Sequence, residues 1–135
     1  MALHLSRKHR AQLLKWAEVA DDEECCGLLL GRGSSISDIR STRNVAIDPR
    51  KHFEIDPGSL IDAERNSRNC GTPVMGYFHS HPNGLARPSA TDIDCAADDG
   101  RCWFIIANGQ ITAWQPEARG GVVHGFVPIE LIVEG

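Results

Sequence analysis

Two histidines one residue apart, His79 and His81 in "GYFHSHP" (76–82), close an apolar run and stand directly before a proline. In a strand, residues i and i+2 point from the same face, so both imidazoles would project together. Such a pair reads either as two metal ligands or as two surface histidines. After ten intervening residues comes Asp92, giving His79-x-His81-(x10)-Asp92. Two imidazoles and one carboxylate suit zinc with an open fourth position, the arrangement hydrolytic sites require. An aspartate also suits a first helical turn for dipole reasons, so local spacing leaves both readings standing.

Ser89 stands three residues before Asp92, and Ser-x-x-Asp has the form of a capping box. A hydroxyl close to metal ligands could equally donate to a developing oxyanion. Glu24 opens the run "ECCGLLLG". It is either the last polar residue before a strand, like its neighbours Asp21, Asp22 and Glu23, or a general base facing a metal site. The long separation from His79 does not choose between them.

The elements that must position these residues follow from periodicity. Apolar spacings of three and four at Leu13, Leu14, Trp16, Ala17 and Ala20 predict an amphipathic helix over 5–20, with Ser6 as N-cap. "ECCGLLLG" reads as a buried strand closed by a glycine-rich turn at 31–35, and residues 36–47 as the returning strand. Asp56-Pro57 opens a second helix that runs to about Cys70 and ends at Gly71. A strand over 74–78 delivers the two histidines. Pro88-Ser89 starts a helix reaching about Ala97. "CWFIIA", Asn108-Gly109 and "QITAWQ" form a hairpin, because Asn-Gly suits a type I′ turn. Residues 121–133 add a last apolar stretch. Strands interleaved with helices predict an α/β or α+β domain, one mixed sheet with flanking helices.

At 135 residues, 41% hydrophobic and 24% charged, the chain reads as one globular domain over residues 1–135 with a substantial core. A net charge of −4 without a long basic run argues against nucleic acid as a partner. The cluster Arg7-Lys8-His9-Arg10 reads as a solvated helix face, with His4 beside it. Five cysteines, an odd number without metal-type spacing, do not make a disulfide framework. Cys25 and Cys26 read as small core or near-core residues, and Trp103, Phe104 and Trp114 as hairpin packing. The N-terminal "MALHLSRKHRAQ" lacks the apolar segment of a secretory signal, and no run nears the ~18 apolar residues that span a bilayer. The expectation is a cytoplasmic protein with reduced thiols and no membrane association; self-association is compatible with the sequence.

Taken together, "ECCGLLLG" and "HSHPNGLARPSATD" resemble the JAMM family of metalloproteases, also called MPN+ or JAB. That family's pattern is a glutamate in E-x-x-G-x-L-x-G followed by H-x-H-P-x6-S-x-x-D. Glu24, Gly27, Leu29 and Gly31, then His79, His81, Pro82, Ser89 and Asp92, fill every defining position. The resemblance extends from about Glu23 to Gln115 and implies a cytidine-deaminase-like α/β three-layer sandwich. It implies that His79, His81 and Asp92 bind one zinc ion, that Glu24 is the general acid/base, and that Ser89 stabilises the tetrahedral intermediate. It also implies a peptidase acting after the C-terminal diglycine of a ubiquitin-like protein. The short single-domain form is similar to the bacterial branch, some members of which trim ubiquitin-like sulfur carriers or their adducts. A substrate tail could add a strand to a sheet edge near 48–56, and the loop 83–87 has the small residues of a mobile segment. A non-catalytic interaction scaffold with a residual zinc site is the alternative; three ligands with an adjacent acid disfavour it, because structural zinc sites close with four protein ligands. A zinc deaminase is disfavoured by the missing P-C-x-x-C element.

Overall fold

In the computed structural model, which describes residues 2–69, 71–82 and 84–135, seven strands and three helices follow one another along the chain. They are β1 (Ala2–Ser6), α1 (Arg7–Ala20), β2 (Cys26–Arg32), β3 (Ser35–Thr42), α2 (Pro57–Arg68), β4 (Val74–Ser80), α3 (Ala90–Cys95), β5 (Cys102–Ala107), β6 (Gln110–Arg119) and β7 (Val122–Glu134). The strand order is β1-β3-β2-β4-β5-β6-β7, and β7 returns to pair with β1, closing the sheet into a barrel. Pairing is parallel between β4 and β5, β1 and β7, and β1 and β3, and antiparallel elsewhere. The expected mixed, helix-flanked sheet is therefore present, and it also closes.

β2 shows why its sequence is continuously apolar rather than alternating: both of its faces are buried, and such strands carry hydrophobic residues throughout. Leu29 joins one cluster with Leu13 of α1, Phe78 and Phe104, while Leu28 and Leu30 join a second with Ala63 of α2. The two helices thus cover opposite faces of the same strand. Gly27 makes the first cluster possible, since a Cβ there would run into the Arg40 carbonyl and the Phe78 ring. Trp16 of α1 stacks on that same Phe78 ring, with centroids 5.7 Å apart.

Most element boundaries fall where local signals put them. Ser6 caps α1, its Oγ accepting the His9 N–H at 3.1 Å. Asn108 and Gly109 take φ values of 51° and 74°, as a type I′ turn requires. Pro57 opens α2, but Asp56 makes no capping bond to the backbone and instead accepts the Ser59 hydroxyl at 3.0 Å. α2 ends at Arg68; the expected terminus at Cys70 lies outside the described residues.

Five expectations are corrected. The first helix does not begin at Leu5, because residues 2–6 form β1 with Leu3 and Leu5 buried in the main cluster. His4 is consequently not part of a solvated helix; its Nδ1 lies 2.7 Å from Glu134 Oε1 on β7. The returning strand ends at Thr42 rather than 47, and the segment 43–56 is a loop. That loop offers no strand edge at 48–56, its one β-type contact being the bridge Asn44↔Ile55. The third helix stops at Cys95 rather than Ala97.

Closure rests on β1, which meets β3 only at the pair His4↔Ser35 but meets β7 over five pairs. Removing a large buried side chain from a core costs about 2–5 kcal/mol, and Leu3 is 1% exposed. Leu3→Ala is expected to lower the denaturant-unfolding free energy by that amount. A loss under about 0.5 kcal/mol, the range of surface substitutions, would show that β1 frays and the barrel is open.

Candidate metal centre

His79 is the penultimate residue of β4, and across the antiparallel ladder with β2 its partner is Cys26. Continuing that register brings Glu24 level with His81. The junction is clamped by two bonds: Ser80 N–H donates to the Cys25 carbonyl at 3.0 Å, and Cys25 N–H donates to Ser80 Oγ at 2.9 Å. His81 N–H donates to the Ile106 carbonyl of β5 at 2.9 Å, so the chain leaves the sheet in a fixed direction. The loop then turns back, and α3 presents Asp92 from its first turn.

Three donor atoms meet there. His79 Nε2 lies 2.9 Å from His81 Nε2 and 3.2 Å from Asp92 Oδ2, and His81 Nε2 lies 3.1 Å from the same oxygen. Ligands bonded at about 2.0–2.2 Å to a tetrahedral centre stand roughly 3.3–3.6 Å apart, close to these separations. His81 Nδ1 is 2.8 Å from the Leu85 carbonyl, an acceptor, so Nδ1 carries the hydrogen and Nε2 turns its lone pair toward the group. Burial would raise the Asp92 carboxyl, but its contacts with the His79 and His81 rings and the hydrogen bond from the Ser89 N–H outweigh it and hold the group far below the usual carboxylate range. Burial pulls His79 below the ordinary imidazole value. Burial also pulls His81 down, but the Asp92 carboxylate and the Leu85 carbonyl reverse this and leave it raised. Lone pairs so arranged call for a shared proton or a cation.

Glu24 is 6% exposed, and its Oε1 has no hydrogen-bond partner among the described residues. Burial, with a small addition from Asp92 and against the pull of His81, pushes its carboxyl up to about 7. Ligand atoms of Glu24, His79 and His81 all fall within 4.8 Å of one another, a wider set overlapping the tight one. In the tight set Asp92, held ionised, touches both imidazoles, whereas burial pushes the Glu24 carboxyl up. The Glu24 backbone is fixed by the loop 43–56: its N–H donates to the Pro49 carbonyl at 2.7 Å, and its carbonyl accepts from Asn44 Nδ2 at 2.9 Å.

Ser89 forms the capping box its spacing predicts. Its Oγ accepts the Asp92 N–H at 3.1 Å and its N–H donates to Asp92 Oδ2 at 3.0 Å. A hydroxyl has two lone pairs and one hydrogen, so capping leaves the hydrogen free. Ser89 also lines a cleft of about 340 Å³ together with Glu24, His81, Arg50, Lys51 and Arg87. Of the loop 83–87, residues 84–86 are tethered: Leu85 O holds His81, Ala86 O accepts the Thr112 hydroxyl at 2.7 Å, and Gly84 O accepts from Asn108 Nδ2 at 3.4 Å. Asn83 lies outside the described residues.

Sequence reasoning passed over Phe53 and Asn44, and assigned Trp103 to hairpin packing alone. Trp103 does pair with Trp114 across the hairpin, but it also packs edge-on against His79, with centroids 5.4 Å apart. Phe53 stacks on His79 at 4.3 Å. Neither residue carries a donor that would mark it as a ligand; the signal available was the position of "HFEIDP" between two site motifs. Cys25, Cys26, Cys95 and Cys102 are free thiols, with Cys26 and Cys102 buried; Cys70 lies outside the described residues.

Residues 6–117 match the family model for prokaryotic homologs of the JAB domain. The chain belongs to this family. It is similar to the desampylase of Haloferax volcanii, 32% identical over 93 residues that make up 67% of each chain. It is also similar to a probable TtuB-protein conjugate cleaving protease of Thermus thermophilus, 30% identical over 118 residues, 81% of this chain and 76% of that one. A solution structure from Desulfitobacterium hafniense superposes with a TM-score of 0.82 at 30% identity, covering 98% of this chain and 92% of the other. The protein is a JAB-domain hydrolase of the JAMM metalloprotease type.

The raised Glu24 carboxyl has a consequence for stability. A carboxyl held above its ordinary value of 4.5 favours the folded state in its protonated form, so that contribution is complete below pH 4.5 and is lost as pH rises through about 7. Glu24→Gln removes the dependence. In metal-free protein its melting temperature should match wild type near pH 4.5 and exceed it at pH 8. An offset that is the same at both pH values would mean that Glu24 is not raised.

Proposed function

We propose that the chain is a zinc-dependent peptidase that hydrolyses the amide bond after the C-terminal diglycine of a ubiquitin-like protein, with a bacterial sulfur carrier or its adduct as the substrate class. The observation that carries this reading is the convergence of His79 Nε2, His81 Nε2 and Asp92 Oδ2 to 2.9–3.2 Å beside the buried Glu24 carboxyl. In this reading His79, His81 and Asp92 hold one zinc ion per chain. Nitrogen and carboxylate donors without thiolate are compatible with zinc. Zinc bound there supplies Lewis acidity, lowering the pKa of a water to about 7 and polarising a carbonyl.

The remaining chemistry belongs to the chain. A carboxyl near 7 gives and takes a proton with little driving force either way at neutral pH. Glu24 therefore removes the proton from the attacking water and returns it to the departing amine. Ser89 Oγ, with its hydrogen free of the cap, donates to the carbonyl oxygen as negative charge develops there. Glycine residues before the scissile bond let the tail enter the cleft beside Arg50 and Lys51 without side-chain collision. The name of the Thermus thermophilus relative, a probable TtuB-protein conjugate cleaving protease, supports a protein conjugate as the substrate.

The same reading treats the whole chain, 1–135, as one domain acting in the cytoplasm. It relates the barrel to the cytidine-deaminase-like three-layer sandwich, since α1 and α2 cover opposite faces of β2. No helix of the described residues is long and apolar enough to cross a membrane.

The test is intact-mass analysis of ubiquitin-like carriers from the same genome, each extended beyond its diglycine and incubated with zinc-loaded protein. A product ending at the glycine is expected with wild type and not with Glu24→Gln, which should retain zinc. Ser89→Ala should slow the reaction about 10²-fold or more. Cleavage surviving intact in Glu24→Gln would remove Glu24 from the mechanism. No cleavage of any carrier by zinc-loaded protein would favour the scaffold reading.

A further inference from the structure

We infer that Phe53 is the positioning residue for His79, taking the place of the hydrogen bond that ordinarily orients a metal-ligating imidazole. The inference rests on the zinc reading above. Metal-bound histidines generally donate their second ring N–H to a carboxylate, a backbone carbonyl or water, which fixes both tautomer and ring plane. His81 follows that rule through the Leu85 carbonyl at 2.8 Å. His79 does not. Its ring is 0% exposed, and among the described residues Nδ1 has no partner. Nε2 is turned to Asp92 and His81, which leaves Nδ1 as the buried, unbonded ring nitrogen.

Rotation about χ2 of histidine is broad and loosely held, so something other than hydrogen bonding must set the plane of this ring. Phe53 lies over it with centroids 4.3 Å apart and planes 17° from parallel. Trp103 meets it at 88°, and Phe53 and Trp103 pack on each other at 5.3 Å and 74°. Any large turn of the imidazole would drive its edge into the Phe53 face. The orientation of His79 is thus set by shape.

Phe53 sits in a loop rather than a strand, and one side chain, Asn44, bonds the backbone on both sides of it. Asn44 Nδ2 donates to the His52 carbonyl at 2.9 Å, and Asn44 Oδ1 accepts the Glu54 N–H at 3.1 Å. These bonds bracket Phe53 on either side, and Val45 N–H donates to the Glu54 carbonyl at 2.9 Å. Asn44 Nδ2 also holds the Glu24 carbonyl at 2.9 Å. One asparagine therefore ties the stacking ring to the buried acid.

The test is zinc affinity of the full chain, measured by competition with a chromophoric chelator, with zinc alone as the probe. Loss of an orienting partner typically weakens metal binding about 10–100-fold. Phe53→Leu is expected to fall in that range and to alter the visible spectrum of the cobalt(II)-substituted protein. Phe53→Tyr, which keeps the ring, should restore both. Asn44→Ala should move affinity in the same direction, while Ile47→Ser, on the same loop but fully exposed, should not. Phe53→Met offers a second variant of similar volume should Leu fail to fold. Wild-type affinity and an unchanged cobalt spectrum in Phe53→Leu or Phe53→Met, with zinc lost in His79→Ala, would overturn this inference alone. Full zinc binding by His79→Ala would overturn the zinc reading and this inference with it.

Discussion

Donor atoms gathered at one point repel one another unless a positive charge lies between them, and Asp92 Oδ2, His79 Nε2 and His81 Nε2 are gathered to 2.9–3.2 Å. Much of the molecule serves to hold that arrangement against its own electrostatics. The imidazoles come from the end of β4, where the strand period points both to one face. The carboxylate comes from a six-residue helix whose start is tied back by the Ser89 capping box. Asp92 is 5% and His79 0% exposed, so neither charge nor dipole is relieved by water, and a buried polar group without a partner is costly. Burial makes the site expensive when empty of positive charge, and selective for it.

The antiparallel pairing of β2 with β4 explains how a residue more than fifty positions earlier in the chain reaches this point. Cys26 opposes His79, and Ser80 bonds both the carbonyl and the amide of Cys25. Glu24 is thereby held at the rim, close enough to feel His81 and Asp92 yet not part of the tight set. Burial separates the two carboxyls: Asp92, fed by several donors, stays ionised, while Glu24, with no partner for Oε1, rises to about 7. Two carboxyls with pKa values driven apart by their surroundings can take different roles.

The parts of this arrangement that depend on neighbours in sequence were legible there. The alternation around His79 and His81, the Ser89–Asp92 capping box, the Asn108-Gly109 turn and the doubly buried β2 all have local signatures, and the structure contains each of them. What depends on distant contacts was not. β1 is five residues long, and its alternation of Leu3 and Leu5 is too short to separate from the helix that follows; only pairing with β7 makes it a strand. The loop 43–56 has the residues of a strand's continuation, but Asn44 turns inward and bonds to Glu24, His52 and Glu54. Phe53 has no ligand atom, so the position of its segment between two site motifs was the one signal, and its stacking on His79 is a contact of the folded chain.

X-ray absorption at the zinc edge of the reconstituted protein tests the central claim most directly. One zinc per chain, a first shell of nitrogen and oxygen only, and the outer-shell scattering of two imidazoles are the predicted result. A sulfur shell, as from the nearby Cys25, or a spectrum without imidazole scattering, would contradict the assignment of His79, His81 and Asp92 as the metal's ligands.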